Sequence, residues 1–340
     1  MLPELTNVPQ PFLWLMVLLA IGILWKSADW FVEGAVGTAQ KLNVPPMLVG
    51  LVLVSLATTA PELVTSVLAA LQGRPEVALG NAVGSITVDN SVALGLAALV
   101  ATTPLAASPG LIRTSGTFLV GVILVTFIFL LDGVLARWQG GVLVMLFVGY
   151  LVFAYRTERQ RSKNHEAPVT ALAASMEQVD PGLAHASAVR IGGLFLAGLV
   201  GVLIGAEILL MSALGLAHGF ELPPVVIGLT VVALGTSVPE IATAVTSARK
   251  GHPGVGIGNV MGADILNICW VAGLSAVANP LPVERRVLFV MYPSMVIIVL
   301  TMLFMLRQGF QLTRVNGGIL LSMYGIYLIV LLYAAPPGSF

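Results

Sequence analysis

A segment beginning near residue 44 returns, without a gap, 178 positions later: "LATTAPELVTSVLAALQGRPEVALGNAVGS" at residues 56–85 overlays "LGTSVPEIATAVTSARKGHPGVGIGNVMGA" at 234–263. Thr58 falls on Thr236, Pro61 on Pro239, Glu62 on Glu240, Asn81 on Asn259 and Gly84 on Gly262. Self-similarity at a fixed spacing means one structural unit used twice, so the fold must present two equivalent halves. The same shift carries Asp29 onto Glu207, which extends the duplication toward whole halves.

The solvent of each half follows from its residues. Of 340 residues, 57% are hydrophobic and only 9% are charged, which is the composition of an integral membrane protein. At about 20 residues per crossing, the apolar runs give ten spans, at 12–34, 45–72, 76–102, 112–131, 138–156, 191–215, 224–248, 254–278, 287–306 and 313–334. The one extended polar segment, 157–189, separates five spans from five, dividing the chain into a first repeat (1–156), a linker (157–189) and a second repeat (190–340). Five is odd, so the second copy enters the membrane from the opposite side. The expected fold is all-α, with ten transmembrane helices in two inverted-topology five-helix repeats and a site at the midplane between them. With both termini outside, the inside loops hold eleven Lys and Arg and the outside loops four, which places the linker in the cytoplasm and the chain in the cell (inner) membrane. The first run starts near Phe12 without a basic flank or cleavage site, so it reads as a retained helix. Sixteen basic residues balance sixteen acidic ones, leaving no field that would attract nucleic acid. The single cysteine, Cys269, excludes a disulfide framework.

Each repeat sets a proline beside a glutamate inside an apolar run. Proline lacks an amide hydrogen, so Pro61 frees the carbonyl of Ala57 and Pro239 that of Gly235. Helical spacing places the hydroxyls of Thr58 and Thr59 on the face of Glu62, and those of Thr236 and Ser237 on the face of Glu240. Carboxylate, hydroxyl and carbonyl oxygens together at membrane depth are what hard cations such as calcium and sodium take as ligands. In the helices that follow, Asn81, Ser85 and Asp89 recur every four residues, mirrored by Asn259, Ala263 and Asn267. Asp264 lies near that stripe. Asn81 and Asn259 serve equally well as ligands or as interhelical bonds. Gly80 with Gly84, and Gly258 with Gly262, are small residues that let helices approach. Lys26 and Asp29, three apart, are expected to neutralise each other, and Glu207 is either a helix-end acid or part of a cation vestibule.

The motifs "TTAPELVTSV" and "GTSVPEIATA", each followed by "GNAVGS" or "GNVMGA", resemble the paired alpha repeats of sodium/calcium exchangers in the cation/calcium exchanger superfamily. The resemblance implies an antiporter that exchanges calcium for sodium by alternating access, with Glu62 and Glu240 as central ligands. It further implies Thr58, Thr236 and Ser85, with carbonyls near Ser55 and Ala233, as flanking ligands, and Asp89 with Asn267 as a second polar pair. Prokaryotic members that this chain resembles carry the amide in the first repeat and the acid in the second, so Asp89 and Asn267 have exchanged places. The pseudo-two-fold axis is expected to bring these two positions together, conserving the charge count. Ala263 stands where a serine is expected, which bears on one sodium site. No cofactor and no catalytic residue is implied; the transported ions are the bound species, in a monomeric unit within the lipid bilayer.

An intramembrane aspartyl protease would need Gly-x-Gly-Asp, which does not occur. A cation channel is the weaker alternative, since inverted halves meeting at paired carboxylates suit alternating access. A proton/calcium or potassium-dependent exchanger is the runner-up. The proton-coupled branch carries an acid within its "GN" motif, where this chain has Gly84 and Gly262.

Overall fold

A bilayer offers no water to backbone amides, so an apolar chain must bond them internally. The described residues accordingly form helices, joined by turns and four two-residue strands. The computed structural model describes residues 8–42, 49–73, 75–163, 186–219 and 233–333. Its helices are α1 (Gln10–Leu42), α2 (Gly50–Thr58), α3 (Ala60–Leu71), α4 (residues 75–100), α5 (Pro109–Leu130), α6 (Arg137–Lys163), α7 (Ala188–Gly219), α8 (Ala233–Thr236), α9 (Val238–Arg249), α10 (Pro253–Ala278), α11 (Val287–Arg307) and α12 (Arg314–Tyr333).

Among the described residues seven helices are long and apolar enough to span a bilayer, or eight if the bent pair α2–α3 is one span. Two of the ten expected spans fall short of that test. The side chains of α6 are described only from Arg137 to Phe153, which covers part of the expected fifth span, and residues 224–232 of the expected seventh span lie outside the described residues. Helix α6 also continues to Lys163, into the segment expected as linker, of which 164–185 lie outside the described residues.

The two halves are clasped twice. Strand β1 (Leu105–Ala106) pairs antiparallel with β4 (Gln311–Leu312), and β2 (Val134–Leu135) with β3 (Leu281–Pro282). Beside the first clasp the Arg314 guanidinium donates to the Ala101 carbonyl at 3.0 Å, and beside the second Arg137 donates to that of Ala278 at 3.2 Å. The helix crossings are also paired. A Cβ on Gly317 of α12 would lie 2.7 Å from the Gly95 carbonyl of α4, and one on Gly140 of α6 would lie 2.5 Å from the Gly273 carbonyl of α10. Only glycine permits these approaches.

Helices α1 and α7 run antiparallel along one another. Gly34 lies against Phe195, Phe31 against Gly198, Ser27 against Gly201 and Leu24 against Gly205, so one set of numbers falls as the other rises. This pair stands apart from the rest. Among the described residues the main apolar core contains no α1 or α7 residue; these helices join two smaller clusters, one around Phe31 and Phe195 and one around Leu24 and Val202. Lys26 and Asp29 do not neutralise each other, because neighbours from other turns reach them first. Lys26 lies over the Trp30 ring at 5.2 Å, and Asp29 faces Lys250 at 3.6 Å.

Candidate functional site

The proline–glutamate motif acts as a helix start. Helix α2 ends at Thr58, the chain turns at Thr59, and α3 leaves at 49° with Pro61 in its first turn. Helix α9 begins in the same way after Ser237, with Pro239 in its first turn. There the missing amide hydrogen costs nothing, since the first N–H groups have no intrahelical partner. Glu62 and Glu240 follow directly, inside the first turns, where the positive end of the helix dipole favours a carboxylate. Both are about 1% exposed.

The break changes what surrounds each acid. Thr59 donates to the Oε1 of Glu240 at 3.4 Å, and Thr58 also neighbours that carboxylate. Thr236 neighbours Glu62, and Ser237 neighbours Asp89. The hydroxyls of each half therefore serve a carboxylate of the other half, and not the glutamate of their own segment as helical spacing had suggested. The turn at Thr59 ends the 3.6-residue register on which that expectation stood. Thr58 donates to the Asn259 Oδ1 at 3.1 Å and Thr236 to the Asn81 Oδ1 at 3.4 Å, one bond made twice under the shift of 178. A threonine that gives its proton to an amide oxygen keeps its lone pairs for another partner, as a cation ligand must.

Behind these residues α4 and α10 each pass through a π turn, Asp89–Ala93 and Asn267–Ala272, which starts at the expected polar residue. The π turn of α4 packs against α9, which carries Glu240, and that of α10 against α3, which carries Glu62. Asp89 thus belongs to the surroundings of Glu240, and the turn that Asn267 opens lies against the helix of Glu62. Each π turn also packs against the other's helix, Asn267–Ala272 against α4 and Asp89–Ala93 against α10. The charged neighbours of Glu62 are Glu240 and then Asp89; those of Asp89 are Glu240 and then Asp264.

Many of these oxygens have no hydrogen-bond partner within the protein. Both oxygens of Glu62 and of Asp89, Glu240 Oε2, Asn267 Oδ1 and the hydroxyls of Ser85 and Ser237 are buried without a hydrogen bond of ordinary geometry, Thr236 and Ser237 being near neighbours of Glu62 and Asp89. Orphaned buried acceptors are costly, and charged ones more so. Among the described residues the buried polar set holds four acids, Glu62, Asp89, Glu240 and Asp264, and no lysine or arginine. The region is built for positive charge that the chain does not itself supply. Among the described residues no three His, Cys, Asp or Glu side chains converge on one point. A hard cation held here needs hydroxyl, amide or carbonyl oxygens to complete its shell of about 6 to 8 ligands.

The remaining expected residues divide. The Ser55 hydroxyl donates to the Leu51 carbonyl at 2.5 Å, and its own carbonyl accepts from the Thr59 amide at 2.9 Å, so both groups are engaged within the helix. Ala233 opens α8. Asp264 is held away from the glutamates by Asn90, whose Nδ2 donates to both carboxylate oxygens at 2.9 Å and to the Ile86 carbonyl at 2.8 Å. Asn90 and Ser66 escape the sequence reading. Ser66 accepts from the Asn81 Nδ2 at 3.0 Å. Neither is repeated in the other half, where Ile268 and Ala244 occupy the positions, so the duplication carries no signal for them.

With this geometry in hand, comparison with known proteins is informative. The family described as "Sodium/calcium exchanger protein" matches residues 12–156 and 191–333. The sodium/calcium exchanger MaX1 of Methanosarcina acetivorans is 28% identical over 94% of this chain and 98% of its own length. The inner membrane protein YrbG of Escherichia coli is 31% identical over 94% and 97%. A solved structure of the sodium-calcium exchanger NCX_Mj superposes with a TM-score of 0.76 at 28% identity, covering 94% of this chain and 99% of that one.

Proposed function

Because this chain belongs to the sodium/calcium exchanger family, we propose that it is an antiporter that exchanges calcium for sodium by alternating access. The observation that carries this reading is the buried, unpaired set of carboxylate oxygens around Glu62, Glu240 and Asp89, with no buried base among them. In this mechanism Glu62 and Glu240 take the cation directly. Thr58 and Thr236 turn lone pairs to it, having given their protons to Asn259 and Asn81. Ser85, Ser237, Thr59 and Asn267 complete the shell, and Asp89 adds charge beside Glu240. Asp264, engaged by Asn90, stands outside it.

The reading extends to ten crossings in two inverted five-helix repeats, with both termini outside and residues 157–189 facing the cytoplasm. Antiparallel α1 and α7, and two clasps between the halves that map onto each other under the shift of 178 to within two residues, support it. The inner-membrane relative YrbG supports the location. Alternation follows from like charge: with the site empty, Glu62, Glu240 and Asp89 repel one another, and either one calcium or several sodium ions relieve that repulsion. A path that moves only when the site is neutralised carries one cation species in exchange for the other.

The test is calcium-45 uptake into proteoliposomes under imposed sodium, potassium or proton gradients. Uptake driven by an outward sodium gradient alone is expected. Uptake driven by protons with sodium absent would move the chain to the proton-coupled branch.

A further inference from the structure

At the end of α9 remote from Glu240, two consecutive cations reach across to α1. Lys250 Nζ lies 2.6 Å from Glu33 Oε1 and 3.6 Å from Asp29 Oδ1, and the Arg249 guanidinium lies over the Trp25 ring at 4.0 Å. Trp25, Asp29 and Glu33 recur every four residues and so form one stripe along α1. We propose that this contact is a latch between two bodies of the transporter. It holds the α1–α7 pair against the α9–α10 hairpin and favours the conformation in which that end of the central site is covered. The latch rests on the alternating-access reading above.

The two bodies are visible in the packing. Among the described residues neither α1 nor α7 contributes to the main apolar core, and two smaller clusters pack them against Val54 of α2, Val255 of α10 and Val238 and Ala242 of α9. Sliding one body past the other therefore disrupts less packing than moving any helix of the core. Position joins the latch to the chemistry, because α9 is one helix of 12 residues with Glu240 in its first turn and Arg249 in its last. A rigid element of that length transmits displacement at one end to the other.

The latch is one-sided. Under the shift of 178, Arg249 and Lys250 correspond to Leu71 and Gln72, which carry no charge. If the halves exchange conformations as the site changes access, only one of the two end states contains these contacts. A contact biases an equilibrium only by the difference it makes between states, and this one differs fully. A half-buried ion pair and a surface cation–π contact together shift a two-state ratio by about threefold to tenfold.

The experiment measures half-saturating calcium separately at each membrane face, in proteoliposomes of known orientation. With Lys250→Gln or Arg249→Gln, half-saturation is expected to fall at the face near the latch and to rise at the opposite face, changing their ratio by about threefold to tenfold. Lys250→Arg should keep the wild-type ratio. Glu33→Lys should restore the ratio lost in Lys250→Glu. A ratio unmoved in the glutamine variants, or an equal shift at both faces, overturns the latch. Absence of sodium-driven exchange in the wild type would instead remove the function proposed above. The latch then stands or falls on hydrogen exchange across residues 26–36 of the purified protein, which Lys250→Gln should accelerate and Lys250→Arg should not.

Discussion

Glu62 and Glu240 occupy one position in two copies of a motif, yet they meet different surroundings. Glu240 has one oxygen bonded by Thr59 at 3.4 Å, whereas neither oxygen of Glu62 accepts a bond of that geometry, Thr236 being its neighbour. The amides behind them differ in the same sense: Asn81 Nδ2 is held by Ser66, while Asn259 Nδ2 is unpaired because Ala244 stands at the equivalent place. Duplication fixes where the groups stand, and later substitution decides which of them is held before a cation arrives. The two glutamates are thus equivalent as ligands and unequal as members of an empty site.

The sharpest break of that comparison is charge removal. Glu62→Gln or Glu240→Gln should each lower calcium exchange about a hundredfold, since an intramembrane carboxylate that no longer offsets a cation forfeits about 2.5 to 3.5 kcal/mol. Wild-type calcium-45 flux in either variant would remove both residues from the site. Thermal melting without calcium separates them. Glu62→Gln should raise the melting temperature more, because the carboxylate it removes accepts no bond of ordinary geometry, whereas Glu240→Gln also disturbs the Thr59 bond. Equal shifts would mean that the asymmetry has no energetic content.

Next in size is the exchanged pair. Asp89→Asn should lower exchange about tenfold by removing one charge beside Glu240. Adding Asn267→Asp returns a charge, but on α10 beside the helix that carries Glu62, so recovery is expected to be partial and the double-mutant cycle nonadditive. A double variant as impaired as Asp89→Asn shows that the two positions do not serve one site.

Much of this was legible in the sequence. The repeat announced two halves, and a proline beside a glutamate at the same offset in each marked the paired acids, because intramembrane charge is too costly to keep without use. Three features were hidden, for separate physical reasons. The threonines turn to the opposite half because a helix break cancels the periodicity that assigned them to their own glutamate. Asp89 and Asn267 share helices with residues whose partners depend on how the halves interlock, which local spacing does not encode. Asn90 and Ser66 have no copy in the other half, so an argument from duplication passes over them.

Close approach along these helices is confined to particular glycines. A Cβ on Gly262 of α10 would run into the Leu51 carbonyl and the Ser55 hydroxyl, whereas one on Gly80 of α4, a position equivalent to Gly258, would meet nothing within 4 Å. Gly262→Ala should cost about 1 to 3 kcal/mol through overpacking, and Gly80→Ala less than about 0.5 kcal/mol. Chemical denaturation in detergent measures both. Equal losses would show that the approach of α2 to Gly262 carries no energy.

The smallest expected effect tests the amides. Ser66→Ala leaves the Asn81 Nδ2 in the condition of the Asn259 Nδ2, buried and without a partner, and should lower stability by about 1 kcal/mol. The Asn81 Oδ1 keeps its bond from Thr236 in this variant, because that bond comes from the other half. Calcium exchange should therefore change less than stability does. The converse change, Ala244→Ser, offers the Asn259 Nδ2 the acceptor that Asn81 already has, and should raise stability by a comparable amount if the hydroxyl takes up the position Ser66 holds. Made together, the two substitutions transfer the bond from one half to the other, and the sum of their separate effects should hold, since the two amides lie in different repeats and share no partner. Ser66→Ala without loss of stability would show that Asn81 is held by Thr236 alone. The two halves would then differ at their carboxylates and nowhere behind them.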